Sequence, residues 1–185
     1  MAHLTGDPKR HDLSSFKDSL SGSCLCGSIT VTINDNELFT KPRGHLCHCA
    51  NCRKVSGSVV SANLIMEEEK VDIKDRDGTL KVYEDKATNS GNPVYRYFCA
   101  VDGKWVVLLE ESCCSRGLVA DFVASPVMSK VDALPGKAII KLGMMPVIPT
   151  PEMESFALHK HTWFKKPEGV RSYKILRTGE LMDDE

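Results

Sequence analysis

The stretch Ser28-Ile29-Thr30-Val31-Thr32-Ile33 alternates apolar and hydroxyl side chains, which places Ile29, Val31 and Ile33 on one face of an extended backbone and the threonines on the other. Its β-branched residues suit a half-buried strand. Outward from it, comparable short runs lie at Val59–Ile65, Val71–Ile73, Leu80–Tyr83, Val94–Cys99, Trp105–Glu110, Leu118–Phe122 and Ala138–Leu142. Between them stand the turn signals Asp77-Gly78, Ser90-Gly91-Asn92-Pro93 and Pro135-Gly136. Pro151-Glu152 is the one helix signal: proline fits a first turn and an early carboxylate suits the N-terminal dipole, so a short helix is expected through Leu158. No segment repeats at a fixed period. The pattern predicts one mainly β domain.

A chain of 185 residues suits a single core. Residues 1–20 carry Asp7-Pro8, Ser14-Ser15 and scattered charges without apolar periodicity, and are expected to form a flexible or loosely docked extension. The domain is expected over 21–166, with a C-terminal tail at 167–185. The net charge of −1 leaves no basic excess for nucleic-acid phosphates. The first twenty residues lack a secretory apolar stretch, and the longest apolar run, Trp105 to Leu109, is too short to cross a bilayer. An intracellular, cytoplasmic location is expected. The acidic run Glu67-Glu68-Glu69 reads as a solvated turn.

Eight cysteines in an intracellular chain point to reduced thiols and metal binding rather than a disulfide framework. In Cys47-His48-Cys49-Ala50-Asn51-Cys52-Arg53-Lys54 three thiols fall within six residues, close enough for one loop to bring their sulfurs to a single tetrahedral zinc ion. Three protein ligands leave a fourth position for water or a soft substrate thiol; a structural site closed by His48 or His45 is the alternative. Arg53 and Lys54 stand where a cation would lower thiolate pKa or meet an anionic ligand, and Ser56 could add a hydroxyl donor, although a solvated pair and a tight turn explain them as well. His48 is a candidate proton carrier, while alternation from Cys47 and Cys49 turns it away from the metal.

A second group joins Cys24 and Cys26, in Cys24-Leu25-Cys26-Gly27, to Cys99. A closed site wants four ligands, and three residues after Cys99 stands Asp102, a harder donor than a thiolate. Either Asp102 completes the shell or the site is weak. The adjacent Cys113 and Cys114 read as small buried residues or as a substitute for the missing ligand.

Taken in order, Gly22-Ser23-Cys24-Leu25-Cys26-Gly27-Ser28-Ile29, Cys47-His48-Cys49-Ala50-Asn51-Cys52-Arg53-Lys54-Val55-Ser56-Gly57-Ser58, and Ser90-Gly91-Asn92-Pro93 with Arg96-Tyr97-Phe98-Cys99 resemble the glutathione-dependent formaldehyde-activating enzyme and centromere protein V family. The resemblance spans roughly residues 20–165, with weaker echoes at Lys141-Leu142-Gly143 and His159–Trp163. It implies a β-tent fold of small antiparallel sheets, a catalytic zinc on Cys47, Cys49 and Cys52, and a structural zinc on Cys24, Cys26 and Cys99. The family's fourth cysteine is Asp102 here. The resemblance further implies a carbon–sulfur lyase in which the thiol of glutathione, as co-substrate, is joined to or released from an aldehyde carbon, formaldehyde being one candidate. Cys49, Arg53 and His48 are the expected catalytic residues, and Arg53, Lys54 and Ser56 the expected contacts to the thiol adduct. Arg96 is a further cation that could offset three thiolates. A non-catalytic zinc scaffold for protein interaction is the competing reading, and the oligomeric state is open.

Overall fold

The computed structural model describes residues 6–102 and 125–182. The expected strands at Trp105–Glu110 and Leu118–Phe122, together with Cys113 and Cys114, lie outside the described residues. In chain order the first half carries β1 (Leu20–Ser23), β2 (Ile29–Ile33), β3 (Gly44–Cys47), the helix α1 (Ala50–Ser56), β4 (Ser61–Glu67) and β5 (Val71–Asp75). The second half carries β6 (Leu80–Asp85), β7 (Val94–Cys99), β8 (Pro126–Val131), β9 (Lys137–Lys141), β10 (Pro151–Ser155) and β11 (Arg171–Ser172).

The alternation at Ile29–Ile33 becomes β2, with Ile29, Val31 and Ile33 fully buried and the threonines half-buried. Each such aliphatic side chain stabilises the fold by about 1.5–3 kcal/mol. β2 sits between β1 and β5 in a three-stranded antiparallel sheet. The larger sheet runs β11-β10-β3-β4-β9-β8-β7-β6. It is antiparallel except around β10, which pairs parallel to both β3 and β11. The two sheets share one core: Leu20, Val31 and Ile33 from the smaller pack with Leu64, Met66, Val127 and Ile140 from the larger. This is the mainly β architecture that the alternating runs predict.

The contact between the sheets is tight at Gly22. A Cβ there would fall 2.3 Å from the backbone oxygen of Met144, which cannot rotate away as a side chain could.

Two segments differ from the sequence expectation. The helix expected from Pro151 to Leu158 is instead β10, followed by a 3-10 turn at Ala157–His159. Proline is tolerated at the first residue of a strand, and extension of this segment beside β3 buries Glu154 and Ser155. The expected tail at 167–185 is built into the sheet through β11, and the Tyr173 N–H donates to the Glu154 carbonyl at 2.9 Å. Backbone pairing of two residues leaves no side-chain period to read. The N-terminal extension forms two 3-10 turns, Pro8–Arg10 and Leu13–Phe16, capped by Asp7 and Asp12, and Phe16 meets Phe39 with ring centroids 6.2 Å apart.

Gly22→Ala is expected to lower the stability of the fold by about 1–3 kcal/mol, the usual cost of overpacking. Chemical denaturation checks this; an unchanged midpoint would contradict the close approach to Met144.

Candidate metal centre and the cavity beside it

Cys47 ends β3, and Cys49 and Cys52 flank the first turn of α1. The helix begins there because Cys49 itself is the cap: its Sγ accepts the Cys52 N–H at 3.3 Å, as a serine or aspartate oxygen would. Gly57 ends it in the left-handed conformation at φ 59°. The strand end and helix start bring the three Sγ atoms within 4.8 Å of one another. No histidine ring nitrogen shares that set among the described residues. His45 instead bonds Ser155 Oγ at 2.8 Å, and His48 bonds Glu154 Oε2 at 2.9 Å. The cluster is therefore a three-sulfur site that could hold a metal ion with a position left over.

The three sulfurs are hydrogen-bonded to one another. Hydrogen bonds from Cys47 and Cys49 hold Cys52 as the thiolate, well below its usual range, and the charges of Lys141 and Arg96 add to this. Cys47 is pushed up by the same hydrogen bonding to Cys49 and Cys52 and then by burial.

These sulfurs line a cavity of about 390 Å³, and among the described residues of its wall there is no aspartate or glutamate. The cations among those residues are Lys141, Arg96 and Arg177. Lys141, nearly fully buried on β9, donates to Asn63 Oδ1 at 2.7 Å. Burial pulls its pKa down while Cys52 pulls it up. Arg96, on β7, grips Asp85 Oδ2 through Nε at 2.8 Å and Nη2 at 2.5 Å. Asn51 donates to the same Asp85 oxygen at 2.9 Å and so ties α1 to that pair. The turn residues Ser90 and Asn92 also face the cavity, which gives the Ser90–Pro93 motif a place.

Arg53, Lys54 and Ser56 do not line this cavity. Successive residues on a helix turn by roughly 100°, so with Cys52 facing the sulfurs its two successors face elsewhere. Arg53 and Lys54 line a shallow depression on another face; Arg53 Nη1 meets His161 Nε2 at 2.8 Å, and Ser56 Oγ donates to the Arg53 carbonyl at 3.2 Å. His48 is buried behind the loop, edge-on to Phe164, and bonded to Glu154. Its place is that of a group ordering the cysteine loop. The cations beside the sulfurs are Lys141 and Arg96. Lys141 had a sequence signal: a lysine inside Ala138-Ile139-Ile140-Lys141-Leu142 is rarely buried without a partner.

The second cluster gathers Cys24, Cys26, Cys99 and Asp102, again with donor atoms within 4.8 Å. Cys26 Sγ stands 3.4 Å from Cys24 Sγ and 3.6 Å from Cys99 Sγ. These separations approach the roughly 3.8 Å edge of a tetrahedron built on Zn–S distances of about 2.3 Å. The Asp102 oxygens accept the N–H groups of Cys26 at 3.3 Å and Ser125 at 3.1 Å. Burial pushes the Cys24 thiol up to about 12. Four donors fill a tetrahedral shell and so make a closed site, in contrast to the three-sulfur site.

The fold and these two clusters define a mainly β, cysteine-rich protein with potential metal centres, one of them open to a cavity. The model of the family "Glutathione-dependent formaldehyde-activating enzyme" matches residues 19–120, more than half of the chain, and the chain belongs to that family. Membership points to glutathione-linked, aldehyde-activating chemistry. The fold search returns the crystal structure of a Rhodobacter sphaeroides protein at 11% identity and a TM-score of 0.42, covering 68% of this chain and 86% of that one. None of the curated proteins matches significantly. Among the described residues no helix is long and apolar enough to cross a membrane.

Glu154, fully buried beneath His48, gives a pH prediction. Burial opposes its ionisation, yet hydrogen bonds from His48, Lys160 and Ser172 hold its pKa at about 2, below the ordinary 4.5. A depressed carboxylate contributes stability that is present above about pH 4.5 and is lost as pH falls toward 2. Glu154→Gln should therefore cost about 1.5–3 kcal/mol at neutral pH, with the gap to the native protein closing on acidification. Denaturation at several pH values measures this; a gap independent of pH would contradict it.

Proposed function

We propose that this protein is a zinc-dependent carbon–sulfur lyase that forms or cleaves adducts between glutathione, or a related thiol, and an aldehyde or another electrophilic small molecule. The observation carrying this reading is the three-sulfur cluster that opens into a cavity lined, among the described residues, by cations and no carboxylate. Its volume falls in the roughly 300–1,000 Å³ range of small-molecule sites. A scaffold for protein interaction would need no such cavity.

Zinc held by Cys47, Cys49 and Cys52 would supply Lewis acidity and favour a thiolate over a thiol. The chain supplies the rest. Lys141 and Arg96 offset the negative charge of the sulfurs, and Asp85 with Asn51 fixes Arg96 in place. Val94, Ile139 and Phe156 on the cavity wall exclude water around the reacting carbon. In the cleaving direction the carbon–sulfur bond of a hydroxyalkyl thioether breaks, its electron pair returns to sulfur, and the hydroxyl loses its proton as the carbonyl forms. His45 and Lys141 are candidates to handle that proton among the described residues of the wall. Burial pushes the His45 pKa down to about 4, so near neutral pH its imidazole is uncharged and can take that proton up and pass it to the departing sulfur. In the closed cluster, zinc would contribute to folding rather than to chemistry. A cytoplasmic setting fits, because glutathione keeps thiols reduced there and the six described cysteines are free thiols.

The division between the clusters is tested by two substitutions. Cys49→Ser should abolish adduct cleavage while leaving most of the fold intact, whereas Cys26→Ser should lower the melting temperature and reduce activity only in proportion to folded protein lost. Activity per folded molecule, with circular dichroism giving the folded fraction, separates the two. Full specific activity in Cys49→Ser would move the chemistry away from the three-sulfur site. A folded but inactive Cys26→Ser would bring the second cluster into it.

A further inference from the structure

The cavity is finished by a segment beyond the matched family region. After β11 the chain folds back on itself: Tyr173 bridges Leu181, the Lys174 N–H donates to the Glu180 carbonyl at 2.8 Å, and the Met182 N–H to the Ser172 carbonyl at 2.8 Å. The turn at its tip is closed by the Gly179 N–H on the Leu176 carbonyl at 2.8 Å, which puts Arg177 and Thr178 at the two central positions. The stem is also fastened to the main sheet, where the Phe156 N–H donates to the Ile175 carbonyl at 2.7 Å. Phe156 adopts the left-handed backbone conformation at φ 56°, uncommon for a residue other than glycine, at the point where the two segments meet. A turn braced on both sides holds Leu176, Arg177 and Thr178 on the cavity wall.

The charges there do not balance. Of the three cations on the wall, Arg96 is paired with Asp85, and Lys141 bonds Asn63 beside the sulfurs. Among the described residues Arg177 makes no side-chain hydrogen bond or ion pair, and none of those that line the cavity is a carboxylate that could answer it. A guanidinium presents a planar fork of donors that fits a carboxylate through two parallel hydrogen bonds. Arg171, a few residues earlier, already reaches such a partner in Glu152 at 3.6 Å.

We propose that Arg177 is a specificity-determining residue that anchors a carboxylate of the bound thiol, so that the cavity selects acidic thiols and their adducts over neutral ones. The inference rests on the thiol-adduct reading above and adds to it the charge of the accepted substrate class and the residue that reads it. The sulfur end of the ligand meets the cysteine cluster and the carboxylate end meets the C-terminal turn.

The test is titration calorimetry on the full-length protein supplied with zinc, using glutathione and its dimethyl ester, in which both carboxylates are masked. The native protein should bind the free acid about tenfold more tightly than the ester, and Arg177→Gln should erase that preference by weakening the acid alone. Ester affinity within twofold of native in the variant also shows that its cavity is intact. Arg177→Lys, which keeps the charge but loses the fork, should fall between them. Equal weakening of both compounds, or no weakening of either, overturns the assignment of Arg177. Native protein that binds both compounds without preferring the acid overturns that assignment while leaving the thiol-adduct reading standing. Native protein that binds neither overturns both.

Discussion

Three sulfur atoms held within 4.8 Å of one another make up the constraint on which the rest of this structure depends. As thiolates they repel one another, and they lie close to an apolar core in which an unbalanced charge is costly. Two responses are visible. Hydrogen bonds from Cys47 and Cys49 favour charge on Cys52, and buried Lys141 and Arg96 stand close enough to favour that charge as well. Neither cation could stay buried alone: Asn63 holds the first and Asp85 the second.

The sheet topology follows from the same need. β3 must end where α1 begins so that Cys47 meets Cys49 and Cys52, and β3 is fixed in position by β4 on one side and β10 on the other. β10 supplies the buried carboxylate of Glu154 under His48 and the hydroxyl of Ser155 beside His45. The strand that neighbours the cysteines thus also orders His45 on β3 and His48 in the loop that follows it. The closed cluster ties the turn before β2 to the end of β7 and so links the small sheet to the large one. One centre borders space and the other fastens two sheets.

Much of this was legible in the sequence. Ile29, Val31 and Ile33 announced their strand, β7 was predicted from Val94 to Cys99 as it forms, the Cys47, Cys49 and Cys52 group was visible from spacing, and Cys99 was joined to Cys24 and Cys26 by supposing that two turns meet. What escaped has identifiable causes. The helix α1 is capped by a sulfur, has no buried residue and is only seven residues long, so neither cap chemistry nor periodicity revealed it. The assignment of Arg53 and Lys54 to the ligand came from nearness in sequence, which a helix start undoes by rotating them off the site. Arg177 was invisible because it reaches the cavity through a turn held by backbone hydrogen bonds, and those leave no pattern in the side chains.

The central claim is that the Cys47, Cys49 and Cys52 cluster binds zinc with a position open to a thiol from the cavity. Zinc X-ray absorption spectroscopy of the purified protein, recorded before and after addition of glutathione, tests it directly. The account predicts that the number of sulfur neighbours per zinc rises on addition, because an incoming thiolate joins three protein sulfurs while the closed cluster stays as it is. An unchanged sulfur count, with zinc present and glutathione in excess, would contradict it.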